Sequence, residues 1–318
     1  MALFEEHSDE DQPFYERMHS VGRRPGSQAA ATRSAEPSPD PVTSPVRMMA
    51  DMDLRVGTRS TALGAAYAAA VGPGWTTVPV PGTENLAGEE LAARLRGALF
   101  DGDCDLIVHS ASDLPAEDHP GLMLVFPRRD SPHDAFCGPT DYRGVRLGGR
   151  VGVDSANRAA QLRHFRADID AVVVDGDIPS RLDLVGHSLD GIVVSRAQLD
   201  RLGLDGQDLP YEVMVPAAGQ GALAIETVAG SRFAEIIAPL TDERTSLEMV
   251  AERTFTRQLG IPASAPVGVL ARSTGRTVAL HARFIGDGSK VEIRRSSNDP
   301  VKLAVDLAAE FAKRGVRP

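Results

Sequence analysis

Sulfur and positive charge are scarce in this chain, and long apolar runs are missing altogether. Only two cysteines, Cys104 and Cys137, occur in 318 residues. Their spacing fits neither a metal site nor a redox pair, which excludes a disulfide framework and points to a reducing compartment. Basic residues number 34 against 44 acidic ones, for a net charge of −10. That balance makes nucleic acid and an anionic membrane surface poor partners. No stretch is long and apolar enough to cross a bilayer or to act as the core of a secretory signal. The expected location is the cytoplasm.

What is present is an ordinary globular composition, 42% hydrophobic and 25% charged, in a chain long enough for two or three domains. Residues 1–50 are rich in Pro, Ser, Ala and Arg and lack apolar periodicity, so a disordered arm is expected there. From Met52 onward, short apolar runs alternate with helical patterns. "LRVGT" reads as a strand leading into a helix. "GEELAARLRGALFDG" places Leu91, Leu95 and Leu99 on one helical face, and "CDLIVHS" is the next strand. "GRVGVDSANRAAQLRHF" repeats strand into helix, with Asp154 or Ser155 as N-cap, and "DAVVVDGDIPSRLDLV" and "DGIVVSRAQLDRLGL" do so twice more. This is α/β architecture with mainly parallel strands. After Gly260 three strand patterns and the helix "DPVKLAVDLAAEFAKRG" form a small α+β unit.

In open α/β sheets ligands sit beyond the carboxyl ends of strands, near helix N-termini. Here that rule selects Thr58 to Thr61, His109 to Asp113, Asp154 to Arg158, and Asp175 to Arg181. Polar caps at strand ends are common for purely structural reasons, but the four together outline the rim of a cleft between domains.

The motifs at these junctions carry a resemblance. "LRVGTRSTALG", the HS-x-x-D-x-P element from His109 to Pro115, "VGVDSANRAAQLRHFRADID", and the P-A-x-G-Q-G-A element from Pro216 to Ala222 are similar, in order, to hydroxymethylbilane synthase, also called porphobilinogen deaminase. The resemblance runs from about residue 53 to the C-terminus. It implies two α/β domains of the type II periplasmic-binding-protein kind and a small C-terminal α+β domain. On this reading domain 1 is 51–145 plus about 216–241, domain 2 is 146–215, and domain 3 is 242–318. The family removes ammonia from porphobilinogen and couples the resulting units, on a covalently attached dipyrromethane cofactor.

The residue types suit that chemistry. Loss of ammonia from an aminomethyl-pyrrole leaves a cation, which a carboxylate beside the pyrrole N–H stabilises. Asp113 matches the family's catalytic aspartate. Arg59, Arg158 and Arg181 match arginines that hold the substrate's carboxylates, with Arg201 a further candidate, and Thr61 and Ser110 fit as hydroxyl donors. The expected partner is a small carboxylated pyrrole or similar anion, and a monomer is expected.

The departures from the family pattern carry expectations of their own. Its cofactor loop reads G-G-C-x-x-P-x-G, whereas "GIPASAPVG" has Ala263 at the cysteine position. The expectation is therefore that the dipyrromethane is absent, with Cys104 and Cys137 serving as buried structural thiols. Ser112 replaces a lysine, Asn157 an arginine and Asp175 another arginine, so a chain of many carboxylates is expected to bind poorly. The alternative reading is a non-catalytic or regulatory small-anion-binding protein on the same fold. Other motifs are weak: "DGDCDL" lacks the glycine and glutamate of a calcium loop, "GGRVG" lacks the spacing of a dinucleotide loop, and no metal cluster stands out. His109 is read as shaping the strand end, with a general-base role as the lesser alternative.

Overall fold

The computed structural model describes residues 53–72, 74–261, 265–286 and 288–316. The N-terminal arm expected to be disordered, and Ala263, lie outside them. Strands β1 (Arg55–Arg59), β2 (Thr76–Val80), β3 (Leu106–Ser110) and β4 (Leu122–Val125) come first, interleaved with helices α1 (Ala62–Val71) and α2 (Gly88–Phe100). Next come β5 (Asp134–Cys137), β6 (Arg150–Val153), β7 (Asp170–Val173), β8 (Gly191–Ser195) and β9 (Gln207–Asp208), with α3 (Ala156–Phe165), α4 (Ile178–Leu182) and α5 (Arg196–Leu202) between them. The chain returns as β10 (Leu223–Val228) and α6 (Arg232–Ile237). It ends with α7 (Glu243–Leu259), β11 (Val267–Thr274), β12 (Thr277–Gly286), β13 (Ser289–Ser297) and α8 (Pro300–Lys313).

Two five-stranded sheets result, ordered β2-β1-β3-β10-β4 and β7-β6-β8-β5-β9, beside the meander β11-β12-β13. In each large sheet the first three strands are parallel and one strand runs against them, β10 in the first and β5 in the second. This is the expected α/β class, two mixed five-stranded sheets with their helices beside a small antiparallel sheet. Since β5 pairs in the second sheet, the chain passes between the sheets before Asp134, upstream of the boundary expected at 145/146.

The apolar periodicity explains the layers. Val56, Leu106, Ile107 and Val108 are fully buried in the centre of the first sheet, and Leu91, Leu95 and Leu99 of α2 pack on it. Each such leucine contributes roughly 1.5–3 kcal/mol by leaving water. Helix α3 is capped by Ser155, whose hydroxyl accepts from Arg158 N–H at 3.3 Å. Helices α7 and α8 cover the meander, with Phe255 and Phe311 meeting edge to face.

Two buried polar clusters hold the sheets in place. In the first, the Glu252 carboxylate on α7 accepts from Gly219 N–H at 2.6 Å, from Ala271 N–H at 2.7 Å and from Arg129 Nη1 at 2.7 Å. Arg129 also reaches Glu248 and the Gln220 carbonyl. Burial works against its charge, but the Glu252 and Glu248 carboxylates outweigh that and raise its pKa. In the second, Glu226 on β10 pairs with Arg96 at 2.6 Å and His109 at 3.3 Å. Burial raises the Glu226 carboxyl, yet the bonds from His109 and Arg96 prevail and hold it at about 2.

These clusters yield two predictions. Glu252→Ala takes from Arg129 one of its two carboxylates and leaves two buried amides unpaired, and should lower the unfolding free energy by about 3–5 kcal/mol in urea titrations. Because the folded pKa of Glu226 lies below its unfolded value, its contribution is present in full above pH 4.5 and is lost as pH falls toward about 2. The stability gap between wild type and Glu226→Gln should therefore be about 3 kcal/mol larger at pH 6 than at pH 2, as measured by denaturant unfolding at both pH values.

Candidate active site

Strand β3 ends at Ser110, whose hydroxyl accepts from Ser112 N–H and lies 2.7 Å from Ser112 Oγ, starting a single 3-10 turn over Ala111–Asp113. The turn presents Asp113 at the N-terminus of α2. Its Oδ1 accepts from Gly88 N–H at 3.1 Å, and its Oδ2 stands 4.0 Å from Arg59 Nη2. The side chains of Asp113 and Arg59 are 19% and 23% exposed, so the pair is accessible without being loose. Arg59, at the end of β1, is braced by donating to the Leu86 carbonyl at 2.5 Å. Thr61 caps α1 through Gly64 N–H. Its hydroxyl therefore serves the helix.

In the second sheet the ends of β6 and β7 bring together Arg158 and Arg181. Both are buried, and both donate to Asp154: Arg158 Nη1 to one oxygen, Arg181 Nη1 to the other at 2.8 Å. Arg158 also grips Asp134 on β5 at 2.7 Å and Gln220 Oε1 at 3.1 Å. Burial raises the Asp154 carboxyl, but Arg158 and Arg181 outweigh it and hold its pKa below the usual value. Arg181 Nε is buried with no hydrogen-bond partner.

The loop from Pro216 to Ala222 links the two sheets. Gly219, at φ 75°, lies so close to Ala111 and Ser112 that a Cβ would meet their backbone at 2.6–2.8 Å. The next residue, Gln220, holds Arg158 and Asp134. Only glycine fits that approach. The loop thus places the Asp113 turn and the Arg158 cluster on either side of one short segment.

Arg201 is not joined to those arginines. It pairs with Asp130 and lies over the Tyr67 ring, 5.1 Å from its centroid, while Gln198 donates to Tyr67 Oη at 3.3 Å. Tyr67 is pushed up to about 12 by burial. Asn157 turns inward, donating to the Val215 carbonyl and accepting from Gln161. Ser112 and Asp175 are exposed. Sequence reasoning missed the partnerships of Asp134, Gln220 and Asp154. The first two lie far from Arg158 in sequence, but the i,i+4 spacing of Asp154 and Arg158 was visible.

Neither thiol is a ready nucleophile. Burial raises Cys104 to about 11 and also raises Cys137. Cys104 lies where a Cβ on Gly57 would come within 2.6 Å of its sulfur, and Cys137 donates to the Asp205 carbonyl. His109 faces Glu226, with its Nδ1 buried and unpartnered. Among the described residues no group of His, Cys, Asp and Glu could hold a metal, and no helix is long and apolar enough to cross a membrane.

Residues 88–235 match the family model described as porphobilinogen deaminase, dipyrromethane cofactor binding domain. That match corrects the expectation of no cofactor drawn from Ala263, since the domain it identifies is the one that binds the dipyrromethane. The described residues fit the anionic side of such a group, for Arg181 Nε is a buried donor still without a partner.

Porphobilinogen deaminase of Syntrophus aciditrophicus is 36% identical over 225 residues, covering 68% of this chain and 74% of that protein. The Roseiflexus sp. enzyme of the same name is 38% identical over 69% of this chain and 76% of its own length. That of Syntrophotalea carbinolica is 35% identical over 295 residues, 83% of this chain and 93% of that one. With identity at this level across most of both chains, and with the Asp113 turn and the Gly219 loop inside the matched residues 88–235, the chain belongs to the porphobilinogen deaminase family.

Proposed function

We propose that the protein is a deaminating transferase of tetrapyrrole biosynthesis, which releases ammonia from porphobilinogen and joins the resulting pyrrole units. In this reading it works as a monomer in the cytoplasm. The observation that carries it is the Asp113 carboxylate, anchored through one oxygen on Gly88 N–H with the other oriented toward Arg59. A regulatory anion-binding role would not need an accessible carboxylate beside the arginine that receives the substrate.

Asp113 Oδ2 accepts the pyrrole N–H. As the aminomethyl C–N bond breaks and ammonia leaves with the bonding pair, positive charge spreads over the ring, and the fixed carboxylate stabilises it. The Gly88 N–H at the start of α2 fixes the Asp113 carboxylate in place, so little reorganisation accompanies the step. When the C–C bond forms, the attacking pyrrole carbon gives up its proton, and Oδ2 receives it. Arg59 and Arg181 bind the acetate and propionate groups, with Arg158 behind them and Ser110 as hydroxyl donor. The same arginines would hold the dipyrromethane's carboxylates, and that group supplies the pyrrole on which the product is assembled. Thr61 and Arg201 act from their structural places, capping α1 and bracing Tyr67.

Ammonia release from porphobilinogen tests this reading. Asp113→Asn should keep binding within about threefold while lowering the rate of release by at least about a hundredfold, as expected for removal of one positioned acid-base group. Equal rates in variant and wild type would remove Asp113 from the chemistry. Arg59→Ala should weaken porphobilinogen binding tenfold or more in calorimetry, since a hydrogen bond to a charged group contributes about 1.5–3 kcal/mol.

A further inference from the structure

The Arg158 and Arg181 cluster already contains a carboxylate of the protein's own. Asp154 follows β6 directly, and its two oxygens receive one guanidinium N–H each, from Arg158 on α3 and from Arg181 on α4. This is how a bound carboxylate would sit between two arginine forks. The Asp154 side chain is 31% exposed while the two arginine side chains are 9% and 7% exposed, so the carboxylate lies on the open side of the cluster. With Asp134 fixed beneath Arg158, two arginines are balanced by two aspartates before any ligand arrives. A ligand carboxylate entering here meets a neutral cluster, not a doubly positive one.

We propose that Asp154 is a specificity-determining residue that occupies the anion subsite, so that a ligand carboxylate reaches Arg181 only by displacing it. The inference rests on the reading of this site as the place where porphobilinogen's carboxylates bind. The anchoring of the two arginines is unequal, which makes displacement local. Arg158 is held by Asp134 and Gln220 whether or not Asp154 moves. Arg181 has its Nε unpartnered and one described ion pair, the one to Asp154. Displacement therefore frees Arg181 for a bidentate grip on an incoming carboxylate, at the cost of turning Asp154 toward that carboxylate's own charge. The consequence is selectivity: ligands with one carboxylate directed at Arg181 are accepted, and each further carboxylate nearby is repelled by Asp154.

Two measurements decide it. Asp154→Asn retains the shape and removes the competing charge, so calorimetry should show porphobilinogen binding about tenfold tighter than wild type, opposite to the loss that a merely structural aspartate would give. Where wild type binds porphobilinogen, equal or weaker binding by the folded variant overturns the proposal. Asp154→Ala opens the subsite, and its thermal midpoint should rise saturably with sodium acetate beyond the effect of sodium chloride at equal ionic strength, while wild type responds to both salts alike. The absence of an acetate-specific rise overturns the proposal even where Asp154→Asn is too unstable to titrate. Should porphobilinogen bind neither wild type nor Asp154→Asn while acetate still stabilises Asp154→Ala, the substrate assignment fails and the occupied subsite stands.

Discussion

The ion pair between Arg129 and Glu252 is the constraint on which the rest of the molecule depends. It joins the segment that leaves the first sheet, the helix α7 that precedes the meander and, through Gly219 N–H and Ala271 N–H, both the return loop and the first strand of the meander. A lone charge so deeply buried would be forbiddingly costly. Here each carboxylate oxygen has donors, and Arg129 is met by two carboxylates and a carbonyl. Such a pair adds little net stability compared with an apolar replacement. What it adds is a single permitted register, because any shift of the loop, the helix or the strand leaves a charge unpaired.

Register matters at this point because the loop so fixed is the one that brings the site together. Gly219 rests against Ala111 and Ser112 with no room for a side chain, and Gln220 reaches the Arg158 and Asp134 pair. The position of Asp113 relative to the second sheet is thus set from below, by Glu252, and from the side, by the α1 to α5 contact of Tyr67 with Gln198 and Arg201. Arg201 illustrates how a residue selected for its charge can work for the scaffold instead. Its guanidinium lies over an aromatic face and pairs with Asp130, so it fixes one lobe against the other.

Local pattern made most of the fold legible. The leucines of α2, the strand of Ile107 and Val108 and the cap at Ser155 follow from periodicities that tertiary context reinforces. The crossing before Asp134 is not legible in the sequence, because four buried residues running against their neighbours carry no mark of which sheet they join. Asp113 and the arginines were visible because they stand at strand ends within recognisable motifs. Their partners were not, since Asp134 and Gln220 meet Arg158 across 24 and 62 positions. Ala263 misled differently: a missing thiol led to the expectation of no cofactor, whereas the matched residues 88–235 are those of the cofactor-binding domain.

The cations of the site are all guanidinium groups. Lysine occurs at only three positions, Lys290, Lys302 and Lys313, all in the C-terminal domain. A guanidinium stays charged at every pH the fold survives, so Arg59, Arg158 and Arg181 cannot tune the site by releasing protons. The carboxylates of the site are those of Asp113 and Asp154. The two differ in surroundings: Asp113 has an amide and a distant arginine, whereas Asp154 has two arginines in direct contact. Two guanidinium groups in contact favour the charged form of a carboxylate. Arg158 and Arg181 thus hold Asp154 ionised below the usual carboxylate range, and arginine in place of lysine keeps that grip at every pH the fold survives.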